Sequence, residues 1–209
     1  MVDIHWLGHD GFQVKGKTKT IYIDPFDIAQ GLDAADLILI THHHFDHCSF
    51  EDIEKISTPD TIIIANKKTL ASLEKAEYKT EEISAAKDPL TMQDIKIKAI
   101  PAYNTNKHFH PKADEGIGFL ITIDDTVIYH AGDTDIIPEM DTIHCDYALI
   151  PVSGTYVMDI EDALDATEHI DAKTFIPMHY GKIVGHAQMG EEFKKRCRKH
   201  VEVKEIYQG

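Results

Sequence analysis

The sequence predicts a mixed α/β fold in which two β-sheets pack face to face with helices on their outer sides. Three observations predict it. Short β-rich runs punctuated by glycine and lysine turns open the chain, a strand of continuous apolar residues after its first position follows at Asp36–Ile40, and a second meander leads into a second strand–helix alternation. No linker, repeat or low-complexity tract interrupts the 209 residues, so a single domain over 1–209 is expected.

The elements follow in order. Ile4–Leu7, Gly11–Val14 and Thr20–Ile23 read as an antiparallel meander. Asp36–Ile40 reads as a strand buried on both faces. Ser49 with Asp52 resembles a capping box opening a helix to Ile56, and Thr61–Ile64 is a further buried strand. Asn66–Glu74 sets Leu70 and Leu73 on one helical side. Asp94–Ile100 alternates with period two and so has one wet face, and Ile117–Ile123 with Thr126–Tyr129 forms a hairpin through Asp124-Asp125. Tyr147–Ile150 is a strand, and Asp159 caps a helix carrying Ile160, Ala163, Leu164, Thr167 and Ile170. Thr174–Pro177 is a strand, Glu191–Lys199 a charged helix and Val201–Ile206 a final strand.

Charge narrows the function. Lys and Arg total 21 against 36 Asp and Glu, a net charge of −15 that repels phosphate backbones and argues against nucleic acid as a partner. A small-molecule substrate fits better. The N-terminus has no basic and apolar leader pattern, and no run approaches the roughly 20 apolar residues of a membrane span. A cytoplasmic protein with no membrane partner is expected, and a homo-oligomer only on general grounds. The 3 cysteines are scattered, which suggests neither a disulfide framework nor a thiolate zinc site, and Cys48 reads as a small buried neighbour of the histidines before it.

Those histidines carry the chemistry. In His42-His43-His44-Phe45-Asp46-His47, directly after a buried strand, residues two apart point to one side in extended geometry. His42, His44 and Asp46 then converge, and His47 turns to an adjacent point. Four N/O donors are too many for one tetrahedral ion that also keeps a water, so the spacing favours two metals. Asp133, behind Gly132, and His179 lie just past two later strands and supply further donors at strand ends.

Thr41–His47 as T-H-x-H-x-D-H, Gly132–Thr134 as G-D-T and the late His179, together with Trp6-Leu7-Gly8-His9, resemble the metallo-β-lactamase superfamily over the whole chain. The resemblance looks closest to small single-domain hydrolases similar to L-ascorbate-6-phosphate lactonases. It implies a four-layer αββα sandwich and a dinuclear site. His42 and His44 would hold the first metal, Asp46, His47 and His179 the second, with Asp133 bridging. Zinc suits these ligands, and ligand type alone also admits manganese or iron. The family's third histidine on the first metal is replaced here by Asn104, so His110 is expected to swing in, with Asn104 or an open site as the alternative. His9, in a Gly-His, is expected beside the site or against substrate, His130 to orient a ligand, and His186 to face the substrate. His5, His144, His169 and His200 are given no role.

The implied reaction is hydrolysis of a small ester, lactone or phosphoester by a metal-activated hydroxide, with Asp46 orienting it and His186 or water protonating the leaving group. Three alternatives compete. An RNA or DNA nuclease of the same superfamily needs a basic surface that this chain lacks. A di-iron oxidoreductase carries a carboxylate where His44 stands and a fused flavin domain. A non-catalytic metal-binding module is kept open by Asn104.

Overall fold

The structure is a computed structural model describing residues 2–73 and 78–209; Glu74, the expected end of the second helix, lies outside the described residues. The first sheet takes β1 (Asp3–Gly8), β2 (Gly11–Lys15), β3 (Thr20–Ile23), β4 (Leu37–Ile40), β5 (Ile62–Ala65) and β6 (Lys79–Glu82), side by side in that order. β1 to β3 are antiparallel, and β3 to β6 are parallel. The second sheet runs β12 (Asp171–Met178), β11 (His144–Pro151), β10 (Thr126–His130), β9 (Ile117–Ile123), β8 (Ile95–Pro101) and β7 (Leu90–Met92).

Strand β4 shows why the sheets sit between helices. Leu37 and Leu39 join the core between the sheets, while Ile38 and Ile40 join a second core with Ile53 and Ile56 of α1 (Phe50–Ile56) and Leu73 of α2 (Lys67–Leu73). Removing Leu39 to Ala should cost about 2–5 kcal/mol, as expected of a fully buried leucine. On the far side, α3 (Ile160–His169) and α4 (Met189–Arg196) pack on β12 through Ala163, Ala166 and Phe193. Helix, sheet, sheet and helix make the expected four-layer αββα sandwich.

The local signals act as their chemistry requires. Ser49 accepts from Asp52 N–H at the start of α1, and Asp159 with Asp162 closes a reciprocal capping box on α3. Asp124 and Asp125 both adopt positive φ in the β9–β10 hairpin. Two strands escape the sequence reading. β6 is exposed along its length and carries no apolar alternation, and β7 is only Leu90–Met92. The expected final strand over Val201–Ile206 is a correction. Val201 bridges Phe175 of β12 and Ile206 bridges Trp6 of β1, so the segment straps one edge of each sheet and pairs along neither.

β1, β3 and β4 run one way in their sheet, and β8, β10, β11 and β12 share a direction in theirs. Their C-terminal ends lead into the loops that carry His9, Asp24, His42–His47, Asn104–His110, Asp133, Ser153 and His179. No described helix is long and apolar enough to cross a membrane.

Candidate metal centre

The chain leaves β4 at Thr41 and does not stay extended. His47 and Cys48 N–H both donate to His44 O, at 3.1 and 2.8 Å, so the run turns at His44. That turn corrects the expected convergence of His42, His44 and Asp46. It sends His42 and His44 to one cluster and Asp46 and His47 to another. Cys48 is buried beneath, its thiol pushed up to about 11 by burial, which suits a packing residue and not a nucleophile.

The first cluster is His42, His44 and His110, whose ligand atoms lie within 4.8 Å of one another. His42 Nε2 and His110 Nε2 stand 2.9 and 3.3 Å from His44 Nδ1. His110 reaches it because Asn104 ties down its loop. Asn104 Oδ1 accepts from His110 N–H at 2.9 Å, and its amide donates to Tyr156 O at 2.9 Å. Both ends of the Asn104 side chain are therefore engaged in holding the loop that carries His110.

The second cluster joins His9, Asp46, His47 and His179, and a third overlapping set joins Asp10, His47, Asp133 and His179. Asp133 spans the two sides. Its Oδ2 is 3.1 Å from His110 Nε2 and 3.4 Å from His179 Nε2, and its Oδ1 is 3.5 Å from His47 Nε2. Gly132 makes the approach possible, since it sits at φ +64° and a Cβ there would meet Ile117 O at 2.9 Å. His9 and His179 also take left-handed backbone, at φ 52° and 61°, and His179 N–H donates to His9 O at 3.0 Å. Strained backbone of this kind collects at functional sites.

Four histidines have their outer nitrogen beside an oxygen. His42 Nδ1 is 3.0 Å from Thr41 Oγ1, His47 Nδ1 2.7 Å from Asp24 Oδ2, His110 Nδ1 3.3 Å from Tyr156 O and His179 Nδ1 2.8 Å from Ser153 Oγ. Each pairing orients the ring so that Nε2 faces inward, the arrangement that metal-ligating histidines use. His47 Nε2, His179 Nε2, Asp133 Oδ1 and both oxygens of Asp10 are buried without a hydrogen-bond partner. Buried polar atoms are costly to leave unpaired. A convergent set of imidazoles and carboxylates with orphaned inner atoms fits divalent metal ions.

The electrostatics agree. Burial lowers His42 well below an ordinary imidazole, and it takes His9 down to about 4 despite Asp46. Neutral His9 donates Nε2–H to Asp46 Oδ2 at 3.1 Å. Burial opposes ionisation of Asp46, but His9 and His47 outweigh it and bring the carboxyl down to about 2. Burial also opposes charge on His47, yet Asp133 and Asp24 raise it well above the usual value. Asp10 is pushed up by burial and by Asp133.

The remaining expected residues divide. His9 joins the second cluster. His130 is buried but bonds no ligand side chain; its Nε2 is 2.9 Å from Asp10 O, and its Nδ1 accepts from Gly132 N–H at 3.2 Å. It therefore fixes the backbones that carry Asp10 and Asp133, a correction to the role expected of it. His186 is a second correction. The left-handed Gly185 turns the chain outward, and His186 is exposed, 3.8 Å from Glu192 and outside every donor cluster among the described residues. Asp10, Asp24 and Ser153 were missed; Asp24-Pro25 directly after a strand was the only one with a local signal.

A model of the beta-lactamase superfamily domain matches residues 3–179. A UPF0173 metal-dependent hydrolase of Methanoculleus marisnigri is 34% identical over 217 residues, covering 95% of this chain and 90% of the relative. One of Thermococcus onnurineus is 32% identical, covering 97% and 95%. Among solved structures, the metallo hydrolase Igni18 of Ignicoccus hospitalis superposes with a TM-score of 0.83 at 26% identity, covering 98% of this chain and 95% of its own.

Proposed function

The chain belongs to the beta-lactamase superfamily as a metal-dependent hydrolase, and on that premise we propose that it works with two divalent ions, zinc by ligand type with manganese or iron as alternatives, on a small ester, lactone or phosphoester. The observation that carries this reading is Asp133, whose two oxygens face His47 Nε2 on one side and His110 Nε2 on the other. His42, His44 and His110 would hold one ion, and Asp46, His47 and His179 the other, with Asp133 between them. Bound there, the ions would supply Lewis acidity, making a water nucleophilic at neutral pH and polarising the electrophilic oxygen.

The chain's own residues do the rest. Asp46, ionised and held by His9, is the carboxylate that orients the nucleophile's hydrogen at the pocket floor. The pocket above it, about 600 Å³, suits a small molecule. With His186 turned outward, solvent supplies the leaving group's proton.

Metal analysis of the purified protein, followed by a panel of lactones, carboxylic esters and phosphoesters, tests the reading. Two ions per chain are expected, and Asp46→Ala should abolish turnover while the circular dichroism spectrum persists. Full activity in that variant would sink the assignment, and a single ion per chain at saturating zinc would remove its dinuclear part.

A further inference from the structure

The pocket over the two clusters has walls that the hydrolytic chemistry does not use. Phe45, Phe109 and Ile183 line it, and these are three of the five large hydrophobic side chains exposed among the described residues. Phe45 is 69% exposed and Phe109 50%. Tyr156 completes the wall, its ring edge-on to Phe109 with centroids 4.7 Å apart. Apolar side chains gathered around one opening have a reason that scattered ones lack.

The polar complement is equally particular. Among the described residues, no lysine or arginine lines the pocket. The nearest in sequence to its lining residues are spoken for: Lys107 is 2.5 Å from Asp135, and Lys182 2.9 Å from Asp27. Among the described residues, His108 and the Tyr156 phenol are the titratable lining groups outside the donor clusters. An anionic substituent would thus meet no fixed positive side chain in a chain of net charge −15.

Resting on the hydrolase reading above, we infer that the substrate is an uncharged carboxylic ester or lactone bearing an aromatic or branched alkyl substituent, which Phe45, Phe109, Tyr156 and Ile183 hold while its carbonyl lies over Asp133. Hydrolysis breaks the acyl C–O bond, joins the water oxygen to the acyl carbon and delivers a proton to the departing alkoxide, so an ester gives an acid and an alcohol and a lactone one hydroxy acid. Specificity then comes from desolvating the substituent, a modest and graded discrimination.

The test uses zinc-loaded protein and three hydroxamates sharing one metal-binding head: phenylacetohydroxamate, acetohydroxamate and succinic monohydroxamate. Calorimetric titration should give the phenyl compound about tenfold or more tighter binding than either other. Phe109→Ala and Ile183→Ala should each shrink that ratio several-fold, with the fold checked by circular dichroism. Equal affinities, a preference for the succinic compound or no measurable binding would overturn the inference. So would a concentration-dependent dimer abolished by Phe45→Ser together with an unchanged hydroxamate ratio, which would assign the rim to a second copy. Turnover of ethyl phenylacetate, ethyl acetate and monoethyl succinate separates the two claims. Turnover without phenyl preference, or turnover of phosphoesters alone, fails the substrate class and leaves the hydrolase reading standing, whereas phenyl-selective binding with no hydrolysis of any panel member fails the hydrolase reading.

Discussion

Asp24 Oδ2 stands 2.7 Å from His47 Nδ1, and the same oxygen accepts from Thr41 Oγ1 at 2.6 Å, while Thr41 Oγ1 is 3.0 Å from His42 Nδ1. One fully buried carboxylate therefore orients a histidine in each donor cluster. Partners of this kind are worth about 10–100-fold in metal affinity. Asp24→Ala should weaken zinc binding by that factor at both clusters, read by competition with a chromophoric chelator. His9→Ala, which touches only the second cluster, should weaken one step of the titration. Wild-type affinity at both steps in Asp24→Ala would show that the relay does not orient the ligands.

This relay marks the limit of what the sequence exposes. His42, His44, Asp46 and His47 are legible as a donor set because one short segment after one strand carries them, but their division between two clusters depends on the turn at His44, which alternation does not reveal. The β4 run and the Asp159 cap are legible because burial on both faces and an N-terminal hydrogen bond are local facts. Asp24 and Ser153 are single polar residues at strand ends, and only the pairing of β3 with β4 and of β11 with β12 brings them to His47 and His179. Asn104 stands where a third histidine is expected, and the bond by which it holds His110 beside His42 and His44 joins two loop residues that no spacing rule connects. Val201–Ile206 has apolar residues at both ends, but those ends bond different sheets, which periodicity cannot reveal.

Asn104 offers a separable test of the first cluster. It holds the backbone of His110, and Asn104→Ala deletes no imidazole. Losing its buried bonds should cost about 1–3 kcal/mol of stability. Zinc retained after dialysis should fall toward one ion per chain, as it should in His110→Ala. Two tightly held ions in Asn104→Ala would mean that the loop keeps its place without this residue.

Removing metal should loosen the whole edge. His47 Nε2, His179 Nε2 and Asp133 Oδ1 are buried without hydrogen-bond partners, so an ion bound there stabilises only the folded state. Zinc at a hundredfold excess over its Kd should add about 2.7 kcal/mol to the unfolding free energy. Urea titrations with and without chelator read this difference. Coincident midpoints would mean that the folded chain holds no ion under those conditions.

Protons should compete with that ion. Burial disfavours the charged His47, but Asp133 and Asp24 prevail and raise it well above the ordinary imidazole value. The metal-free ring therefore holds its proton to higher pH than an ordinary imidazole does, and an ion binding at Nε2 displaces that proton. Zinc affinity should rise with pH up to that raised value, and calorimetry in buffers of different ionisation enthalpy should detect release of about one proton per chain at this residue. A pH-independent affinity would place His47 outside the ligand set.

Away from the metals, Asp52 gives a stability test with a definite sign. Its carboxylate accepts from Asp27 N–H at 2.8 Å, Ile28 N–H at 3.1 Å and Ser49 Oγ at 2.5 Å, and pairs with Lys55 Nζ at 2.8 Å. Burial opposes its charge, yet these partners hold it below the ordinary value of 3.8. The unfolded chain therefore binds the proton more readily than the folded one. The stabilisation is fully present above the unfolded value and disappears as pH falls through the lowered folded value. Asp52→Asn should cost about 1.5–3 kcal/mol at neutral pH, because hydrogen bonds to a charged acceptor become bonds to an amide. The gap between the two proteins in urea unfolding should close as pH is taken from 6 down past about 3. The loop pinned by Asp52 also carries Phe26, which lies edge-on to His9 at 6.1 Å. The variant should for that reason weaken the second zinc step more than the first, and a gap that stays constant into acid would show that the carboxylate's charge plays no part.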